Sequence, residues 1–458
     1  MTLIKSPPKI GLLSAICICV GLIVASSCLL SLGQGMGLAG KWFVLSMVIV
    51  AVLNLFVAFS FAELHDLMPN IEGGIGQYTK VALGPVVSII SNTSAYVMVN
   101  ALALPVELAM CGMVVHELFL PWLPAPLLGV ILILILGAVN YRGIHLFSRV
   151  QNISVAVLIF SMAAMGLLAF FKLGTGAVVD PGLPVVGGGF WPAVALSALA
   201  FWLFIGIEFI VPLSKDVRNP RVNVPLAMAL GILLLLIVQS LLGSGMTNYV
   251  TYEALTAAEL PHMLFAENLL GRAGLLWMGI ISIFASISTG NTLMGAIPNI
   301  LSGMAKNDMM PAVFARKNKY GIPVAGLTMI TVFLVFMVGS GLTQAAGLVN
   351  TLLAASCFWL TSYMLVSLSV LVLRKRYPHH PGRNNKLTFW GLPQILCILG
   401  NIFMIWNIAE GDARVMIYKT FFIILGAMII YALIWTGFIK KQPFFKGVEI
   451  SEIIANEE

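Results

Sequence analysis

Long apolar runs alternate along this chain with short polar breaks, and most runs are near the length of a bilayer-crossing helix. About twenty such residues span the hydrocarbon layer as an α-helix. Runs of that kind occupy residues 10–32, 42–64, 86–116, 124–140, 147–171, 191–213, 223–246, 273–304, 322–340, 345–373, 387–408 and 415–438. The pattern predicts an all-α integral membrane protein with twelve transmembrane helices. Residues 1–9 precede the first span and 439–458 follow the last.

Three spans break the pattern. The first reads VGLIVASSCLL over residues 20–30, with Gly21, Ala25, Ser26 and Ser27 all small. The sixth reads FWLFIGIEFIVPL, with Gly206, Glu208 and Pro212 close together. Proline removes a backbone donor and clashes with the preceding turn, and glycine adds backbone freedom. Freed backbone groups are tolerated at membrane depth only inside protein or along a cavity. Interrupted helices at corresponding places in two halves point to a transporter's binding site. The other reading is a pair of helices packed through small residues. In the third span Asn92, Tyr96, Asn100 and Glu107 recur at intervals of four, four and seven, and so share one helix face. That stripe either lines an interior site or forms a polar packing seam. Pro105 bends the helix nearby. A carboxylate in mid-span costs a few kcal/mol even on lenient scales. Neither Glu107 nor Glu208 has an assured cation in the sequence, so each takes up a proton or pairs with a cationic substrate.

Charge supports the span count. With the N-terminus inside, inner loops hold Lys80, Arg142, Arg149, Lys215, Arg218, Arg221, Lys306, Arg316, Lys317, Lys319, Arg374, Lys375, Arg376, Arg383 and Lys386, and the tail adds Lys440, Lys441 and Lys446. Outer loops hold only Lys41, Lys172, Arg272 and Arg414. This bias expects both termini in the cytoplasm and a location in the plasma (inner) membrane. Trp42, Trp122 and Trp191 fall near span ends, as an interfacial belt requires. The chain is 60% hydrophobic and 9% charged, against about 25% charged residues in soluble domains. Its net charge of +7 is accounted for by these loops, so nucleic acid is not an expected partner. The lipid bilayer is one. Lys5 and Lys9 precede a long apolar run without a small-residue cleavage site, which predicts an uncleaved first span. The glycines of residues 64–85, including Gly73, Gly74 and Gly76, predict a loop that bends back to the membrane. The six cysteines lie inside apolar runs, away from metal-ligand spacing. No metal and no cofactor is expected.

The segment IGIEFIVPLSKDVRNPRVNVPLA, Ile205 to Ala227, resembles the span-six to span-seven region of the amino acid–polyamine–organocation superfamily. The matching positions are Gly206, Glu208, Asp216, Asn219, Pro220, Arg221 and Pro225. AELHDLMPNIEGGIGQY, Ala62 to Tyr78, is similar to the family's loop after span two. NILSGMAKNDMMPAVFARKNKYGIPVAG, Asn299 to Gly326, is similar to the segment after span eight. The acid in span six makes the basic amino acid and polyamine antiporter branch the nearest resemblance. The resemblance implies a LeuT-like fold with residues 10–171 and 191–373 as inverted five-helix repeats, and 387–438 as two added helices. It also implies that backbone amides at Ala25, Ser26, Ser27 and Cys28 receive a substrate carboxylate. Carbonyls over Phe201 to Ile205, including Phe204, then receive a substrate amine. Trp202 would cover the substrate, with Tyr96 and Asn100 as candidate lining, and Glu208 or Glu107 would couple transport. The chain departs from the family at span one, where the usual G-S-G-I-F reads Ala25-Ser26-Ser27-Cys28-Leu29. Larger residues there hinder close approach of a carboxylate, which favours an amine or an altered fit for an ordinary amino acid.

The expected function is secondary active transport of amino acids, organic amines or polyamines by alternating access, with protons or exchange as the driving force. Ser286, Ser288, Thr289 and Asn291 offer oxygens for sodium, but such hydroxyls more often bond to helix backbone. Span five carries no coupling lysine. The glycines of GQGMGLAG, residues 33–40, serve either as a flexible gate or as a helix contact. The alternatives are a sensor that binds without transport, a channel, and a membrane-embedded enzyme. The enzyme reading lacks any recognisable nucleophile–base or metal constellation.

Overall fold

The computed structural model describes residues 10–69, 71, 74–340, 348–381 and 389–457. Lys5, Lys9, Gly73, Arg383 and Lys386 lie outside the described residues. The described chain is helical, with isolated bridges at Ile10–Val217 and Lys317–Pro323 in place of any strand. The first apolar run divides into α1 (Leu12–Ile23) and α2 (Ser26–Ala39). There follow α3 (Phe43–Leu67), α4 (Ile75–Leu83) and α5 (Pro85–Asn92). A π-helical turn at Thr93–Met98 joins α5 to α6 (Val99–Leu118), and α7 (Ala125–Tyr141) and α8 (Ile144–Phe170) come next. The sixth run is fragmented into α9 (Phe190–Ala195), α10 (Ser197–Phe201) and a 3-10 stretch over Ile207–Asp216. The remainder is α11 (Pro220–Met246), α12 (Tyr252–Ala257), α13 (Pro261–Lys306), α14 (Val324–Gly339), α15 (Leu348–Arg376), α16 (Leu392–Trp406), α17 (Gly411–Ile434) and α18 (Ile450–Glu457).

Eight of the described helical segments are long and apolar enough to cross a membrane, and α1, α7 and α14 are shorter apolar helices. Their burial separates centre from rim. The apolar window in α17 is only 17% buried, which leaves most of that helix facing lipid. In contrast the second half of α1, the 3-10 stretch and the middle of α13 are buried on nearly every side. Helices in lipid pack by close approach at small residues rather than by a hydrophobic drive. Gly21 of α1 illustrates this. A Cβ there would stand 1.9 Å from Gln151 Nε2 and 2.4 Å from Val155 Cγ2 of α8. In α2, Gly35 lies against the Phe43 ring and Gly37 against Thr256, so the outer glycines of the first run form helix contacts. Trp42, Trp122 and Trp191 are all exposed, consistent with an interfacial belt.

The basic end of the bundle is tied by specific pairs. Arg374 of α15 makes a forked contact with Glu63 of α3, at 2.9 Å to Oε1 and 2.7 Å to Oε2. Such planar two-point pairing is the strong form of the interaction. The glycine-bearing segment after α3 carries the buried helix α4. Its Lys80 Nζ donates to the Asn307 carbonyl at 3.0 Å and lies 3.6 Å from Glu452 of α18. The chain after α17 straps this end. Lys440 pairs with Asp308 at 2.6 Å, and the Val86 amide donates to the Phe444 carbonyl at 3.2 Å. Glu449 accepts from Arg376 Nη2 at 2.5 Å and from Tyr377 Oη at 2.6 Å.

These bonds, first from Tyr377 and then from Arg376, hold the Glu449 carboxyl below its usual value of 4.5. A carboxyl depressed by folding stabilises the folded form above its unfolded value and loses that contribution as pH falls through the folded value. Protection against amide exchange over residues 444–457, measured relative to the intrinsic rate at each pH, is therefore expected to be high at neutral pH and to fall below about pH 4.5. Glu449→Gln should give fast exchange already at pH 7; a strap equally protected in both proteins would contradict this attachment.

Candidate functional site

The site begins with an unusual helix start. Val24 and Ala25 leave helical geometry, Ala25 at φ −105° and ψ 161°, and α2 starts at Ser26. The first amides of any helix lack intrahelical acceptors. A serine, threonine or aspartate at the cap position normally supplies one, but Ala25 has no side-chain oxygen. Glu107 of α6 supplies it instead. Its Oε1 accepts from the Ser26 amide at 2.7 Å and its Oε2 from the Ser27 amide at 3.0 Å. Ser286 Oγ of α13 donates to Oε1 at 2.9 Å. Glu107 is 2% exposed, and these donors and the positive end of α2 surround its carboxyl group. Among the described residues no cation pairs with it.

The other side of the break is closed in the opposite sense. The carbonyls that end α1 need donors. Ser288 Oγ donates to the Gly21 carbonyl at 2.6 Å and Thr289 Oγ1 to the Leu22 carbonyl at 3.1 Å. Asn291 turns away, accepting from Asn140 Nδ2 at 3.1 Å. The polar cluster of α13 therefore spends most of its hydroxyls on the break in the first span. No group of three or more His, Cys, Asp or Glu with metal-holding geometry occurs among the described residues.

The sixth run breaks alongside. α10 ends at Phe201, and Gly206 takes the left-handed conformation at φ 103° before the 3-10 stretch begins. A Cβ on Gly206 would stand 2.4 Å from Leu22 Cδ2, so both conformation and space require glycine. Gln239 of α11 donates to the freed Leu203 carbonyl at 3.0 Å. The two breaks are joined directly. Trp202 Nε1 donates to Ser27 Oγ at 3.0 Å, and Cys28 Sγ contacts the Trp202 carbonyl at 3.2 Å.

Between the breaks lies a cavity of about 30 Å3, room for about two waters. Ala25, Ser27, Cys28, Asn100, Glu107, Trp202 and Ile205 line it, together with Leu22, Leu104, Thr289, Leu293 and Trp359. The remaining predicted residues stand behind this wall. Ser26 gives its amide to Glu107 and its hydroxyl to the Ser282 carbonyl. Tyr96 sets its ring edge-on to Phe209 at 5.0 Å, while Phe201 packs on Tyr363 at 6.0 Å. Phe204 is fully buried. Glu208 is also fully buried. It accepts from Trp359 Nε1 and, at 2.5 Å, from Tyr363 Oη. Trp359 thus touches both the cavity and Glu208. Sequence reasoning did not single out Trp359 or Tyr363. Their signal was a tryptophan in mid-span, away from the interfacial belt, with a tyrosine one helical turn later.

A family model described as amino acid permease matches residues 10–439. The chain is 24% identical to the branched-chain amino acid permease of Bacillus subtilis, over 85% of each chain. It is 22% identical to the methylthioribose transporter of the same organism, over 74% of this chain and 75% of that one. It is 31% identical to human cationic amino acid transporter 4, over 42% of this chain and 30% of that one.

Gly206→Ala places a β-carbon where the backbone is left-handed, a cost of about 1–2 kcal/mol before any clash with Leu22. Thermal unfolding in detergent should show a midpoint several degrees lower than wild type. An unchanged midpoint would mean that the break does not need its glycine.

Proposed function

The chain belongs to the amino acid permease family, within the amino acid–polyamine–organocation superfamily; from this premise we propose a secondary transporter that carries its substrate between the two helix breaks by alternating access. As a member of that family it is an integral membrane transporter of amino acids or related small molecules, not an enzyme. The proposed architecture is twelve spans in two inverted five-helix repeats, with two added helices. Both termini face the cytoplasm of a cell bounded by the plasma (inner) membrane, as the distribution of lysine and arginine supports.

One observation carries the mechanism. Two interrupted helices, with side chains of neighbouring helices bonded to their freed backbone groups at Ser26, Ser27, Gly21, Leu22 and Leu203, face each other across a small cavity. Such breaks are places where helical halves can rock independently around a bound ligand. The cavity's small volume fits an occluded state, and substrate entry requires the breaks to part. Glu208 is the proposed coupling group. It is buried, receives two hydrogen bonds from α15, and has no cation partner among the described residues. Gain or loss of a proton there changes a bond to Trp359, which lines the cavity. The branch of basic amino acid and polyamine antiporters is favoured by this acid and by the similarity to a cationic amino acid transporter. Glu107 is assigned here to holding the break rather than to coupling.

Glu208→Gln keeps the size of the side chain and one carbonyl acceptor but cannot exchange a proton. The variant is expected to fold, to elute as wild type on gel filtration, and to lose gradient-driven uptake in proteoliposomes. Wild-type flux under an imposed pH gradient would remove Glu208 from the coupling step.

A further inference from the structure

We propose that the Glu107 side chain is a built-in carboxylate that makes the site select an organic amine without a carboxyl group over the corresponding amino acid. This rests on the transporter reading and names the substrate class of the same cavity. The anion-binding amides of α2 are already taken, Ser26 by Oε1 and Ser27 by Oε2. Ser286 completes the set. A helix N-terminus is the natural receptor for a ligand carboxylate, and here the protein fills it from within. An incoming carboxylate would meet a like charge in a low-dielectric space, with its donors occupied.

The rest of the wall suits a cation. Its polar members are Ser27, Asn100, Glu107, Trp202, Thr289 and Trp359, with no lysine, arginine or histidine among them. A carboxylate offers about four lone-pair sites. Three donors reach Glu107, two at Oε1 and one at Oε2, so Oε2 keeps a lone pair for an ammonium group. Trp202 and Trp359 pack edge to face at 6.4 Å, and indole faces attract cations. Leu22, Leu104 and Leu293 offer an apolar wall to a hydrocarbon tail.

The test uses matched pairs on purified full-length protein: leucine with 3-methylbutylamine, phenylalanine with phenethylamine, lysine with cadaverine, arginine with agmatine. Ligand binding to the folded form raises its melting temperature. At least one amine should stabilise the wild type at a concentration about tenfold below that needed by its parent amino acid, a preference of about 1.4 kcal/mol. Glu107→Ala frees the two amides and should reverse the preference. Glu107→Gln, which retains the shape, should abolish amine binding if the alanine variant does not fold. An amino acid that binds wild type as tightly as its amine, or a panel in which no amine binds, would overturn the proposal. Counterflow in proteoliposomes separates the two claims. Amino acid exchange would keep the transporter and discard the selectivity, whereas amine binding without flux would keep the selectivity and discard the transporter.

Discussion

A helix interrupted inside a membrane exposes amides and carbonyls where no water is freely at hand, and each must find a partner within the protein. The break at Val24–Ala25 meets that demand from two helices. Glu107 takes the first two amides of α2. Ser288 and Thr289 supply donors to the last carbonyls of α1. Ser286 then steadies the carboxylate. The central packing follows from this arrangement, since α6 and α13 must both approach the break closely enough to deliver these groups. The close approach of α1 to α8 at Gly21 then sets the other side of the same helix.

The sixth run depends on the first. Trp202 and Cys28 cross-link the two interruptions, and Gly206 turns the chain against Leu22. Beyond that turn Glu208 is directed at α15, where an indole N–H and a phenol receive it. The two acids of the interior therefore have different tasks. Glu107 neutralises a helix end at the cavity wall, and Glu208 sits one side chain behind it, in contact through Trp359. A ligand entering between the breaks would meet the first acid directly and sense the second through the indole.

Much of this was legible in the chain. Apolar runs locate the helices, and Gly206, Pro212 and the small residues near Ala25 mark both interruptions. The stripe of Asn92, Asn100 and Glu107 does face the interior: Asn92 Oδ1 accepts from the Gly76 amide at 2.8 Å, and Asn100 and Glu107 reach the cavity. What could not be read was pairing. Glu107 and Ser26 are 81 positions apart, and Glu208 and Tyr363 are 155 apart. Helical periodicity specifies a face, not the neighbour that the face meets. For that reason Glu208, isolated in an apolar run, looked like the cavity acid, while Glu107 looked secondary. Ser286 drew notice only as a candidate sodium ligand, and Trp359 drew none.

The central claim is that the Glu107 carboxylate caps the broken first span. Amide exchange at Ser26 and Ser27, followed by mass spectrometry on wild type and on Glu107→Ala, tests it most directly. The account predicts strong protection of both amides in wild type and its loss in the variant, with the core amides of α13 unchanged. Equal protection in the two proteins would contradict it.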